Sequence, residues 1–287
     1  MPGLYTSHFT FGRRGTDITD AQYAICGVPY DSSETYRTGS RFAPNAIRES
    51  SREIEDYDIL EDFDLLGISL ADYGDVEVSF GNVEETMKRT RETVIEMLQA
   101  GSVPCLIGGE HTISYFALTG FEKKPFYVVF DAHLDFRDEY IGDRLSHTCS
   151  TRRISELIGV ENVLVVGVRG ANKDEIADAK ELELNYIDFN HCRDTEAVKT
   201  RILDAAGGRD VYLSIDADVL DPKEVGGVCN PEPPGFSFEE MVHILDFLRE
   251  VNMVGFDLTE VTPIYDSYTQ ILAAKLIFKV LMKSCRV

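Results

Sequence analysis

The chain lacks any run of apolar residues approaching the roughly 20 that a bilayer requires. Its most apolar stretches, Phe126 to Phe130 and Val163 to Val168, have the length of strands. A membrane span is therefore not expected. Closely spaced cysteines are also missing: Cys26, Cys105, Cys149, Cys192, Cys229 and Cys285 stand at least 37 positions apart. That excludes a CxxC redox pair or a zinc knuckle, and the six read as reduced, mostly buried thiols. Basic residues are few, with 28 Lys and Arg against 50 Asp and Glu, a formal net charge of −22. Such a field repels phosphate backbones and anionic lipid, so nucleic acid and membrane partners are disfavoured. It favours cationic small molecules. The opening segment, Met1 to Gly15, has no apolar signal region, which predicts a cytoplasmic location. The phosphate-loop GxxxxGK[ST], the dinucleotide GxGxxG, the nucleophile elbow GxSxG and the HExxH zinc motif are all absent.

What is present is a regular alternation of elements. Short apolar or β-branched runs bounded by Gly, Pro, Asn or Asp predict strands at Tyr23 to Val28, Leu65 to Asp72, Val103 to Ile107 and Phe126 to Phe130. Further strands are predicted at Val163 to Val168, Leu184 to Ile187, Val211 to Ile215 and Met253 to Phe256. Helical patterns lie between them. The clearest runs from Val83 to Ala100, with Asn82 as N-cap, Glu85 three residues later and Gly101 as the stop. Others are predicted from Ser237 to Glu250 and from Ser267 to Lys283. In the last, Lys275, Lys279 and Lys283 share one side, which reads as a solvated stripe. The alternation predicts a single α/β domain over 1–287: three layers, with a mostly parallel eight-stranded sheet covered by helices on both faces.

The chemistry concentrates where strands end. Gly108-Gly109-Glu110-His111 follows one predicted strand, Asp131-Ala132-His133-Leu134-Asp135 a second, Asp216-Ala217-Asp218 a third, and Asp257 with Glu260 a fourth. Because side chains alternate in extended backbone, residues 131, 133 and 135 project together, as do 216 and 218. So many carboxylates at one sheet edge repel one another unless cations neutralise them. Four Asp and two His without a thiolate suit Mn, Fe(II), Co or Mg better than a structural zinc site. Six ligands are too few for two separate shells, so shared carboxylates are expected. The bland reading of a lone DxD is a solvated strand end, but the DxHxD and its coincidence with three other strand ends weigh against it.

These motifs, with Ser214-Ile215-Asp216-Ala217-Asp218-Val219-Leu220-Asp221-Pro222 and Asp257-Leu258-Thr259-Glu260-Val261-Thr262-Pro263, resemble the arginase/agmatinase family of ureohydrolases. The resemblance extends from about Cys26 to the C-terminus. The segments Gly27 to Asp31, Arg37 to Pro44 and the Asn230-Pro231-Glu232-Pro233 loop look most like its agmatinase branch. It implies an arginase-like fold, assembly as trimers or hexamers, and two Mn²⁺ or another divalent pair. His111 and Asp135 would bind one ion, His133 and Asp218 the other, with Asp131 and Asp216 bridging. His147 would carry a proton, and Glu260 would grip a guanidinium. The implied reaction is release of urea from a cationic guanidino compound, agmatine giving putrescine. Arginine, guanidinobutyrate or formimidoglutamate are the alternative substrates, and a non-catalytic metal-binding relative is the rival reading. The chain departs from the family wording at Ser146-His147-Thr148, where many members have Gly after the histidine. It departs again at Lys223 to Gly227, where a Pro-Gly-Thr-Gly-like turn is more typical.

The tail pocket is read from the loop after the metal motif. Asp138, Glu139 and Asp143 would suit a terminal amine, whereas Arg137 and Arg144 would pair with them or hold a carboxylate. Glu110 either orients His111 or is a solvated loop carboxylate. Asp257 either supports the cluster or caps a turn, and Asp221 shapes the loop ahead of Pro222. His8, His191 and His243 are read as bystanders.

Overall fold

The computed structural model describes residues 9–285. The prediction for His8 lies outside the described residues. The eight main strands are β1 Tyr23–Val28, β2 Leu70–Asp75, β3 Val103–Gly108, β4 Phe126–Phe130, β5 Val163–Val168, β6 Asn185–Asp188, β7 Val211–Asp216 and β8 Met253–Thr259. They form one sheet in the order 2-1-3-8-7-4-5-6, every neighbouring pair parallel. A two-residue hairpin, Tyr57–Asp58 with Phe63–Asp64, stands apart from it. The central strands are apolar because both faces of the sheet are covered there, whereas the edge strands β2 and β6 carry Asp, Asn and exposed positions. Alternation along each strand then divides the core into two layers. Ile25, Cys105, Ile107, Val128, Phe130, Leu213 and Ile215 enter one, and Ala24, Cys26, Leu106, Tyr127, Val129 and Tyr212 the other.

The helices α1 Ala43–Ser51, α6 Thr195–Ala206, α7 Phe238–Ile244 and α8 Thr269–Ser284 cover the first layer. The second is covered by α2 Val83–Gln99, α3 Thr112–Leu118, α4 Ser150–Ile158 and α5 Lys173–Glu181. The predicted start of α2 holds, with the Asn82 side chain accepting from the amide of Glu85 at 3.0 Å. Among the described residues no helix is long and apolar enough to cross a membrane.

Three expectations need correction. Leu65 to Asp72 is not one strand: Asp64 accepts from the amide of Leu66 and starts a 3-10 turn over Leu65–Gly67, so the strand begins at Leu70. The helix predicted from Ser237 to Glu250 changes after Ile244 into a 3-10 turn, Leu245–Arg249. The lysine stripe is not solvated. Helix α8 is apolar nearly all round and therefore buried, and Lys279 and Lys283 are buried with it. Lys279 and Lys275 reach Asp58 at 2.7 and 3.0 Å, while Lys283 reaches Asp246 at 2.6 Å. Burial pushes the Asp58 carboxyl up, but hydrogen bonds from Lys279 and Lys275 outweigh it and bring it down to about 2. Periodicity placed these lysines on one side correctly; the acidic partners, some 220 residues away in sequence for Lys279 and Asp58, are a tertiary fact.

Candidate metal centre and cleft

The carboxyl ends of β3, β4, β7 and β8 lie side by side in the middle of the sheet, which brings four separate motifs to one edge. This is where ligands bind in open parallel sheets. After β3 the chain turns through Gly109 so closely to β1 that a Cβ there would lie 2.0 Å from the carbonyl oxygen of Tyr30. Only glycine allows that approach, and it sets His111 at the mouth of α3.

All six predicted ligands converge. His111 Nδ1 stands 3.1 Å from Asp131 Oδ2, 3.0 Å from Asp135 Oδ2 and 3.3 Å from Asp216 Oδ2. His133 Nδ1 lies 2.9 Å from Asp218 Oδ2 and 3.6 Å from Asp131 Oδ1. Two sets of donor atoms, His111/Asp131/Asp135 and Asp131/His133/Asp218, each fall within 4.8 Å of one another, and Asp131 belongs to both. The residues fit a pair of hard divalent cations. Their donors are oxygen and imidazole nitrogen, and the buried Asp131 Oδ2 has no hydrogen-bond partner. Backbone groups orient the carboxylates: Asp131 accepts from the amide of His133 at 2.6 Å, Asp216 from Asp218 at 2.9 Å, and Asp218 from Ala132 at 3.2 Å. Burial and the neighbouring Asp131 raise Asp135 to about 6, and burial with Asp218 and Asp131 raises Asp216 well above the carboxylate range. Burial disfavours a charged His133, yet Asp218 and Asp131 hold its proton up to about 12. Without cations the cluster manages its charge with protons, which is the conflict the sequence predicts.

The far side of His111 is held as well. Its Nε2 lies 3.3 Å from both Tyr127 Oη and Ser214 Oγ. Ser214 and Tyr212 donate to the buried Asp257 at 2.6 and 2.7 Å. Asp257 thus supports His111 through Ser214 and is not a turn residue. Glu110 takes neither predicted role. It is buried and accepts from Ser33 N and Oγ, both at 2.6 Å, and Ser33 Oγ in turn accepts from the amide of His147 at 2.8 Å. Burial pushes Glu110 up to about 7. This carboxylate therefore fixes the loop carrying His147, across 77 residues of sequence that no local pattern links.

His147 opens a 3-10 turn, His147–Cys149, ahead of α4. The Thr that follows it does not turn it away from the cluster. Its Nδ1 is 3.3 Å from Glu260 Oε1, and its Nε2 is 3.3 Å from Thr35 Oγ1. Burial works against its charge, but Glu260 raises it to about 9. Glu260 Oε1 also accepts from the amide of His111 at 2.7 Å, while Oε2 is buried and without a partner. Asp135 and Glu260 both hold positive φ, 48° and 64°. Left-handed backbone at these two non-glycine residues places local strain at the cluster.

Above these groups opens a cleft of about 420 Å³, with His133, Asp135, His147, Asp216, Asp218 and Glu260 on its inner wall. Thr35, Arg137, Asn172, Glu175, Asn230 and Glu232 line the rest. The predicted tail-pocket acids are elsewhere: Asp138 pairs with Arg144 and Arg153, and Asp143 caps the amide of Leu145. Neither they nor Glu139 line the cleft. Glu175 and Glu232 do, and sequence reasoning missed both as pocket residues. Glu175 is taken up by Arg137 at 3.3 Å and by the amides of Phe136 and Asn172. Arg169 is the electrostatic neighbour of Glu232 and also donates to its carbonyl at 2.7 Å. Cys229, expected as inert filler, sits beside His147 and Glu260. Asp221 behaves as expected, accepting from Lys223 and Gly235. The Gly226-Gly227 turn is tied to Thr262 and Thr269. His191 and His243 pair with Asp188 and Glu196 away from the cleft.

Comparison with known proteins agrees with this geometry. Residues 21–283 match the Arginase family model. The chain is 37% identical over 274 residues to an agmatinase of Pyrococcus horikoshii, covering 94% of each. It is 37% identical to an N(1)-aminopropylagmatine ureohydrolase of Thermococcus kodakarensis, covering 90% of this chain and 89% of that one. The crystal structure of an agmatine ureohydrolase of Thermoplasma volcanium superposes with a TM-score of 0.91 at 30% identity, over 98% of this chain and 95% of that one. With its 2-1-3-8-7-4-5-6 sheet and paired ligand sets, the chain belongs to the arginase family.

Proposed function

We propose that the protein is an agmatinase-type ureohydrolase that uses two Mn²⁺ to cleave agmatine into putrescine and urea. The observation that carries the reading is the two ligand sets sharing Asp131, of which His133, Asp135 and Asp218 open on the cleft beside Glu260 with its bare Oε2. His111, Asp131, His133, Asp135, Asp216 and Asp218 would hold the two Mn²⁺, which would supply activation of a water as nucleophile by lowering its pKa toward about 7. Glu260 Oε2 accepts hydrogen bonds from the guanidinium N–H groups and fixes its plane against the cluster. As the C–N bond to the alkyl chain breaks, the departing nitrogen needs a proton. His147, held protonated by Glu260, delivers it from Nε2, the ring nitrogen that faces Thr35 on the cleft wall.

The amine tail distinguishes agmatine from guanidino acids. Glu175 is occupied by Arg137 and two amides, which leaves Glu232 to receive a terminal ammonium. The relative named as an aminopropylagmatine hydrolase supports a second reading, a longer amine on the same carboxylate. Urea release by the manganese-reloaded protein, with agmatine, N1-aminopropylagmatine, arginine and 4-guanidinobutyrate in parallel, tests both. Urea from arginine or guanidinobutyrate alone overturns the tail assignment; urea from none overturns the reaction. The reading also expects a cytoplasmic homo-oligomer, trimer or hexamer, and a monomeric mass by light scattering would contradict the assembly.

A further inference from the structure

Cys229 is fully buried, and its amide donates to the carbonyl of Glu260 at 3.2 Å, so the thiol is fastened to the strained residue at the end of β8. Its Sγ, a ring nitrogen of His147 and a carboxylate oxygen of Glu260 all lie within 4.8 Å of one another. Every one of the three side chains is buried. Glu260 Oε2 is buried with no hydrogen-bond partner, and it is the same oxygen assigned above to the guanidinium, so an ion held there and the substrate exclude one another. A thiolate, an imidazole and a carboxylate form the borderline-soft set that Zn²⁺ takes, with a water as fourth donor. The neighbouring Asp and His set is hard and suits Mn²⁺. His147 and Glu260 line the cleft and Cys229 lies buried beside them, so two donor chemistries stand next to each other that different metals would sort between.

We propose that His147, Cys229 and Glu260 bind a third divalent cation, Zn²⁺ by donor type, and that this ion shuts the enzyme off. On binding, the Cys229 S–H bond breaks and its proton passes to solvent. The Zn–S, Zn–N and Zn–O bonds replace three waters of the hydrated ion, and nothing is oxidised or reduced. The bound ion occupies the carboxylate that would grip the guanidinium and the imidazole that would deliver the proton. The case for binding rests on the geometry alone. Inhibition rests on the roles proposed above for His147 and Glu260.

The test starts from protein loaded with two Mn²⁺ per chain. Zn²⁺ is added while urea release and manganese content are followed on the same sample, and Co²⁺ is added separately as a spectroscopic stand-in. One further Zn²⁺ should bind with manganese retained, urea release should fall, and Co²⁺ should give a thiolate-to-cobalt charge-transfer band. In Cys229→Ser the band should vanish, and the zinc concentration for half inhibition should rise at least about 10-fold relative to that variant's own uninhibited rate. Equal zinc sensitivity in the variant, or inhibition that tracks manganese loss, overturns the proposal. If the variant does not fold, the wild-type band decides, because among the described residues no other cysteine has such a set of ligands. A cobalt band in a protein that releases no urea would keep the site and overturn the proposed function instead.

Discussion

Asp131 Oδ2 stands 3.1 Å from His111 Nδ1, fully buried, and still has no hydrogen-bond partner. A buried carboxylate oxygen that accepts no hydrogen bond is costly in a metal-free interior even beside an imidazole, and Asp131 is the one residue common to both ligand sets. Asp131→Asn should therefore lower manganese content below two per chain and cut urea release by more than about 100-fold, beyond what loss of a supporting contact alone costs. Elemental analysis beside the urea assay checks this; full metal content with wild-type turnover would refute the shared ligand.

His147 is expected to act without holding the manganese pair. His147→Ala should keep two Mn²⁺ and lose about 10²- to 10⁴-fold in kcat, the usual contribution of a positioned proton donor. Partial rescue by added imidazole would support the assignment, and loss of metal along with the rate would contradict it.

The His147–Glu260 pair has a definite pH signature in the metal-free protein. Burial disfavours the charged ring, but Glu260 raises it to about 9. The folded value is above the unfolded one of about 6.5, so the pair's pH-dependent contribution to stability is fully present below pH 6.5 and lost as pH rises through 9. An NMR titration should show His147 protonated at neutral pH and titrating near 9. Glu260→Gln should move the transition down, and an unmoved transition would exclude Glu260 as the cause.

How much of this was legible in the sequence depends on how local each feature is. Five of the six proposed ligands sit in the period-two motifs Asp131-Ala132-His133-Leu134-Asp135 and Asp216-Ala217-Asp218, His111 follows three residues after β3, and all lie at or just beyond strand ends at the centre of the sheet. Strand periodicity and turn residues are local, so both the fold class and the ligand convergence could be read. The roles of Glu110 and Glu232 could not. Glu110 acts through Ser33, 77 residues away, and Glu232 reaches the cleft because its loop packs on Arg169. Asp138 and Asp143 looked suited to an amine because they follow the metal motif. Their charges are taken up by Arg144, Arg153 and a turn amide, none of which the spacing reveals. The buried lysines of α8 fail for the same reason, since their counter-ions come from the small hairpin and the α7–β8 connection.

Glu232 should set the substrate tail. Glu232→Gln is expected to lower kcat/KM for agmatine by about 10-fold or more, from loss of a charged hydrogen bond worth about 1.5–3 kcal/mol. Butylguanidine, which has no terminal ammonium, should be hydrolysed equally by both proteins. A matching fall with butylguanidine would show a general distortion of the cleft.

The central claim is that paired cations in the Asp131-sharing cluster drive cleavage of a guanidino C–N bond. Urea release from agmatine, measured as Mn²⁺ is titrated into metal-free protein, tests it most directly. The rate should rise from background and level off at two Mn²⁺ per chain. Urea formed at full rate without metal, or none formed with two Mn²⁺ bound, would contradict it.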